Sequence, residues 1–121
     1  SKGKTAELLF SKNSLFVSPS YLHEELEKYK KEIMKKAGLS QQELEQVFSI
    51  ILSRIVVIPF SEYESLISKA KSISPDPDDV EYFALALQYR CSLWSDDKKL
   101  KQQNDVQGIS TTELLRKLQK I

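Results

Sequence analysis

The stretch that decides the fold is Pro75-Asp76-Pro77-Asp78-Asp79 running into the helix of Val80 to Arg90, then Cys91-Ser92-Leu93-Trp94-Ser95-Asp96-Asp97-Lys98. It reads as an acidic turn, an apolar helix, a short buried strand and a second acidic cluster at the strand's exit. Asp76 is placed to cap the helix, with Pro77 at its first position, where a missing N–H costs nothing. This order can fold two groups of carboxylates back to one place. Converging carboxylates either pair with cations or hold a hard metal ion.

Upstream, the same alternation of strand and helix recurs. Ile55 to Phe60 (Ile-Val-Val-Ile-Pro-Phe) is continuously apolar and β-branched, as expected of a strand covered on both faces. Leu15-Phe16-Val17 is a shorter run of the same kind. Ser18-Pro19 opens a helix whose stripe is Leu22, Leu26, Tyr29 and Ile33 and which Gly38 ends. Ser40 to Glu43 is a capping box for a helix reaching about Arg54, with Leu44, Val47, Phe48 and Ile51 facing inward. Ser61 to Glu64 reads as a second box, opening a helix to about Ser72. Thr5 to Ser11 is expected to be a short helix. Downstream, Val106 to Ile109 is a last strand candidate. Ser110 to Glu113 caps the final helix, with Ile109 and Leu114 as its staple. Alternating strands and helices imply an α/β fold of three layers, a short, mostly parallel sheet flanked by helices, in one domain over residues 1–121. In such sheets the chemistry gathers beyond the carboxyl ends of the strands.

Composition narrows the function classes. With 40% hydrophobic and 29% charged residues the chain is an ordinary globular sequence. Its net charge of +1 supplies no strong field toward nucleic acid or an acidic partner. Nucleic-acid binding therefore needs a local patch, and the candidates are Lys28, Lys30, Lys31, Lys35 and Lys36, with Lys98, Lys99 and Lys101. The ordinary account of such lysines is a solvated helix face. One cysteine, Cys91, excludes an internal disulfide and reads as a small core residue. No run approaches the roughly 18 apolar residues of a membrane span. No signal peptide is visible, so the expectation is a cytoplasmic protein with no membrane segment. The opening Ser1-Lys2-Gly3-Lys4 reads as mid-protein sequence, so the domain is expected to be incomplete at its N-terminus.

Three acidic positions carry the functional argument, and each also has an ordinary structural account. Glu25 flanks the stripe of Leu22, Leu26 and Tyr29, whereas Glu24 faces water. Glu25 either pairs with a neighbouring lysine or joins a site. Asp79 stands three residues after the Asp76 cap, a favourable place near a helix dipole. Asp96 and Asp97 follow the strand Ser92 to Trp94, where two adjacent acids repel unless a cation or a helix terminus is near. Trp94 is read as core packing and His23 as exposed. Tyr21 and Tyr82 are candidates for stacking on bases.

These segments resemble the PIN domain family of metal-dependent nucleases, particularly its prokaryotic members of toxin type. Val17-Ser-Pro-Ser-Tyr-Leu-His-Glu-Glu25-Leu26 is similar to the family's glutamate segment, with Glu25 in the glutamate's place. Asp76-Pro-Asp-Asp79-Val-Glu-Tyr-Phe-Ala-Leu-Ala-Leu87 is similar to its aspartate-bearing helix, with Asp79 as the carry-over. Leu93-Trp-Ser95-Asp96-Asp97-Lys98-Lys99-Leu100 resembles its final turn, with Asp97 in the aspartate position. There Asp96 replaces the usual glycine, and Lys99 stands where many members carry another acid.

The resemblance implies hydrolysis of RNA phosphodiester bonds by Mg²⁺ or Mn²⁺ bound through Glu25, Asp79 and Asp97. Ser95 and Asp96 would support those ligands, and Lys98 would touch the RNA backbone. It implies an antitoxin protein and a second copy of the chain as partners. It also implies a first, central strand ending in a further aspartate, which would lie before Ser1. Without that strand the chain is expected to be weak or inactive by itself, or to repack with a second copy. The rival expectation, from Lys99 and the absent aspartate, is a non-catalytic binding or scaffold domain of the same fold.

Overall fold

Period-two alternation in two short strands builds this molecule. Phe16 and Val17 point to opposite faces of the sheet, and so do Leu93 and Trp94. Phe16 and Trp94 join one core with Ile33, Leu44, Phe48, Ile51 and Leu114. Val17 and Leu93 join the other with Tyr63, Ala70, Phe83, Leu85 and Val106. Two cores on two faces of one sheet are the three-layer α/β/α arrangement the sequence predicts. The computed structural model describes the backbone of residues 8–10 and, beyond that, residues 16–19, 27, 30 and 33–118.

The strands are β1 (Leu8–Phe10), β2 (Phe16–Ser18), β3 (Ile55–Val57), β4 (Ser92–Trp94) and β5 (Gly108–Ile109). Their order across the sheet is β3-β2-β1-β4-β5. β2 pairs with β3 in parallel, and β4 with β5. β1 lies between these pairs and runs antiparallel to both neighbours, with Leu9 opposite Val17 on one side and Leu93 on the other. This corrects one expectation. Leu8 to Phe10 is strand, not helix, because the two parallel pairs leave inner edges whose N–H and C=O groups need partners. β1 takes the middle place in the sheet. The other residues of the expected Thr5–Ser11 helix lie outside the described set.

The helices are α1 (whose described residues are 27, 30 and 33–37), α2 (Gln41–Ser53), α3 (Ile67–Ile73), α4 (Val80–Tyr89) and α5 (Thr111–Leu118). α2 starts as predicted. Glu43 N–H donates to Ser40 Oγ and Ser40 N–H to Glu43 Oε1, and Leu44, Val47, Phe48 and Ile51 are buried. α5 repeats the device with Ser110 and Glu113.

Three boundaries differ from the sequence reading. β3 stops at Val57 and is an edge strand. Val56 and Val57 are 41% and 46% exposed, so the apolar run is not covered on both faces. Pro59 has no N–H to extend the ladder. The Ser61–Glu64 box does not form. The chain instead makes two 3-10 turns, Phe60–Glu62 and Glu64–Leu66, and α3 begins at Ile67 with no side-chain cap. Burial of Tyr63 to 1% exposure outweighs the local cap preference. β5 is only two residues long. Gln103 takes both backbone groups of Val106, donating from Nε2 to its carbonyl at 2.9 Å and accepting its N–H at 2.8 Å.

α4 ends on Arg90 in the left-handed conformation, φ 55° and ψ 46°. This releases the chain directly into buried Cys91 and β4.

Candidate carboxylate site at the sheet edge

Because β1 opposes both inner strands, β2, β3, β4 and β5 all run in one direction. Their carboxyl ends, Ser18, Val57, Trp94 and Ile109, share one sheet edge. The acidic cluster Ser95-Asp96-Asp97 leaves β4 at this edge. Asp79 reaches it from the other direction, at the junction between the Pro77–Asp79 turn and α4.

Asp79 and Asp97 line one small cavity of about 10 Å³ together with Ser95, Lys99 and Leu100. That is room for about one water-sized centre. Asp79 is 6% exposed, an unusual burial for a carboxylate. Its position follows from the local sequence. Asp76 Oδ1 accepts the Asp78 N–H at 2.9 Å and Asp76 O accepts the Asp79 N–H at 3.0 Å, which winds the turn. Pro77 starts it, Asp78 is left exposed and Asp79 turns inward.

Asp97 is oriented from both sides. Its N–H donates to Ser95 Oγ at 3.1 Å, and its Oδ1 accepts the Lys99 N–H at 3.0 Å, capping the 3-10 turn Lys98–Gln102. Among the described residues nothing hydrogen-bonds Oδ2. The two carboxylates offer hard oxygen donors, the kind that divalent cations such as Mg²⁺ and Mn²⁺ take. Among the described residues no three His, Cys, Asp or Glu side chains close on one point. Glu25, the third ligand that the resemblance implies, lies outside the described residues.

Asp96 does different work. Its Oδ1 accepts the Thr111 N–H at 3.0 Å, and its Oδ2 accepts the Thr111 hydroxyl and the Lys36 ammonium, the latter at 3.1 Å. The Thr111 hydroxyl accepts in turn from Trp94 Nε1 at 3.0 Å. Thr111 and Trp94 are each 1% exposed. This network clamps the β4 exit to the start of α5 and holds the turn on which Asp97 stands. Sequence reading missed Thr111, because it lies 15 residues from Asp96 and 17 from Trp94 with no local signal linking them.

A larger cleft of about 410 Å³ opens beside the small cavity and shares Ser95, Asp97 and Leu100 with it. Exposed Lys98 and Lys101 lie along it. Of the helical lysines, Lys30 is held in the scaffold. It pairs with Glu27 at 3.1 Å and Glu45 at 3.4 Å and lies 5.5 Å from the Phe48 ring centroid. Lys36 is held by Asp96, Lys35 is exposed, and Lys28 and Lys31 lie outside the described residues. The Glu113 carboxyl, at the cleft's far wall, is held below the usual range by the Ser110 backbone N–H, with the Ser110 hydroxyl adding to it. Burial pushes the Cys91 thiol up, consistent with a core residue. Tyr82 is half-buried against the α3–α4 core, and Tyr21 and His23 lie outside the described residues.

A family model of the PIN domain matches residues 1–119. The chain belongs to the PIN domain family. Members of this family are generally nucleases. No curated protein and no solved structure matches the chain. Asp79 and Asp97, the two described carboxylates that the sequence resemblance points to, both line the small cavity. Among the described residues no helix is long and apolar enough to cross a membrane.

Proposed function

We propose that this PIN domain hydrolyses phosphodiester bonds in RNA, using Mg²⁺ or Mn²⁺ held by Asp79 and Asp97, with Glu25 as the third ligand offered by its sequence pattern. The observation that carries the proposal is the cavity of about 10 Å³ shared by buried Asp79 and half-buried Asp97 at the carboxyl edge of the sheet. A bound divalent ion would lower the pKa of a water and offset charge on the phosphate.

The chain's residues do the rest. Asp79 and Asp97 supply oxygens whose negative charge is compensated when the ion binds. The Lys99 amide fixes the Asp97 rotamer and the Ser95 hydroxyl holds the Asp97 backbone N–H, so the carboxylate does not have to be ordered at the moment of binding. Lys98 and Lys101, along the adjoining cleft, attract the RNA backbone. The reaction forms one P–O bond to the water oxygen and breaks one ester P–O bond. The products are a phosphate monoester and a free hydroxyl.

Calorimetric titration of Mn²⁺ into the native chain, Asp79→Asn and Asp97→Asn tests the reading, alongside cleavage of a labelled RNA. Asn caps a turn as well as Asp does, so Asp97→Asn keeps the Lys99 N–H satisfied and removes only charge. Binding in the native chain that both variants abolish supports the site. No binding in the native chain would favour a scaffold role over catalysis.

A further inference from the structure

The cleft of about 410 Å³ beside the small cavity has the size of a small-molecule site, typically about 300–1,000 Å³. It shares Ser95, Asp97 and Leu100 with that cavity, so a molecule seated in the cleft lies against Asp97. Leu100 and buried Val106 give its lining an apolar part. Its polar part includes a carboxylate whose head group is fixed in place. Glu113 Oε1 accepts the Ser110 N–H at 3.2 Å, and Ser110 lines the same cleft. A carboxylate has about four acceptor sites, and among the described residues only Ser110 hydrogen-bonds this one. Asp96, by contrast, is taken up by Thr111 and Lys36.

The chemistry of an ionised carboxylate decides which ligand suits it. The Ser110 N–H holds the Glu113 carboxyl below its usual range, so at neutral pH it accepts hydrogen bonds and donates none. Unstacked RNA bases are read on their Watson–Crick edges. Guanine presents two adjacent donors there, N1–H and N2–H, which match the two oxygens of a carboxylate. Adenine and cytosine each set one N–H donor beside a bare ring nitrogen, and uracil sets its single N–H between two carbonyl oxygens. Those acceptors face the carboxylate with nothing to donate, which costs binding energy. Resting on the RNA-hydrolysis reading above, we infer that the cleft seats a base next to the scissile phosphate and that Glu113 is the specificity-determining residue that selects guanine.

The test titrates guanosine, inosine, adenosine, cytidine and uridine monophosphates into the native chain and Glu113→Gln by calorimetry, with circular dichroism to show that the variant is folded. Glutamine at this helical position keeps the capping box, so the substitution changes the acceptor and not the turn. The native chain should bind the guanosine nucleotide at least about tenfold more tightly than the adenosine, cytidine or uridine ones, the worth of one charge-assisted hydrogen bond. The inosine nucleotide lacks only the N2 amino group and should bind at least roughly fivefold more weakly than the guanosine one. In Glu113→Gln the guanosine preference should shrink to about twofold or less. Labelled RNA in Mn²⁺ should be cut beside guanines by the native chain and beside all four bases by the variant.

Equal affinity of the native chain for all the monophosphates overturns the inference, as does a guanosine preference that survives in Glu113→Gln. Cleavage separates this inference from the reading it rests on. RNA cut without regard to base leaves hydrolysis standing and removes the Glu113 assignment alone. Guanosine monophosphate selected through Glu113, with no RNA cut, removes the hydrolysis reading and leaves the guanine site. A chain that neither cuts RNA nor binds a monophosphate refutes both.

Discussion

Replacing Thr111 by Val should destabilise the domain out of proportion to the one atom changed. The hydroxyl sits between two buried partners, accepting from Trp94 Nε1 and donating to Asp96. Valine has nearly the same shape, so no cavity opens, and the cost is polar. Trp94 is 1% exposed, so its N–H has no route to water once the acceptor is gone. An orphaned buried donor costs about 1–3 kcal/mol, and a hydrogen bond to a carboxylate contributes about 1.5–3 kcal/mol. Asp96 keeps the residue 111 amide and Lys36, so the lower end of the second figure applies. The expected loss is roughly 3 kcal/mol, or a Tm lower by about 10–15 °C for a chain of this length.

Urea and thermal unfolding followed by circular dichroism measure this loss. Thr111→Ser is the control, since it keeps the hydroxyl and gives up one methyl, about 1 kcal/mol. Thr111→Val within about 0.5 kcal/mol of the native chain, the range of ordinary surface changes, would refute the reasoning. So would a serine variant as unstable as the valine one, which would make the loss one of packing.

Further outcomes follow from the caps. The Glu113 carboxyl is held low by the Ser110 N–H and Glu43 by the Ser40 N–H. Their contributions are therefore present above the unfolded glutamate value of about 4.3 and lost as pH falls through the lower folded values. Glu113→Gln with Glu43→Gln should flatten part of the acid limb of a stability–pH profile measured by urea midpoint. Arg90 holds a left-handed backbone, φ 55°, at the end of α4. Arg90→Gly removes the Cβ clash and should raise stability by about 0.5–1 kcal/mol, with an unchanged midpoint counting against strain there.

Much of the fold can be read locally. The box Ser40–Glu43 and the stripe Leu44, Val47, Phe48 and Ile51 specify α2, because capping and helical period both act within a few residues. The same holds for α5 and for the Asp76-Pro77 start of α4. Where long-range burial competes, local signals lose. Tyr63 goes into the core and cancels the Ser61–Glu64 box, and the edge position of β3 leaves Val56 and Val57 exposed although their run looks fully buried. Leu8 to Phe10 carries no signal of its antiparallel, central place, because strand direction is decided by which edges need partners.

The candidate site divides in the same way. Residue type and spacing alone determine that Asp79 opens a helix and that Asp97 leaves a strand, since both are properties of neighbouring residues. Only the tertiary structure brings the two carboxylates to one small cavity, ties Asp96 to Thr111 and Lys36 instead, and sets Lys99 among the residues lining that cavity. Those contacts join residues 15 to 60 positions apart, and such distances close only when the strands pair and both faces of the sheet are buried.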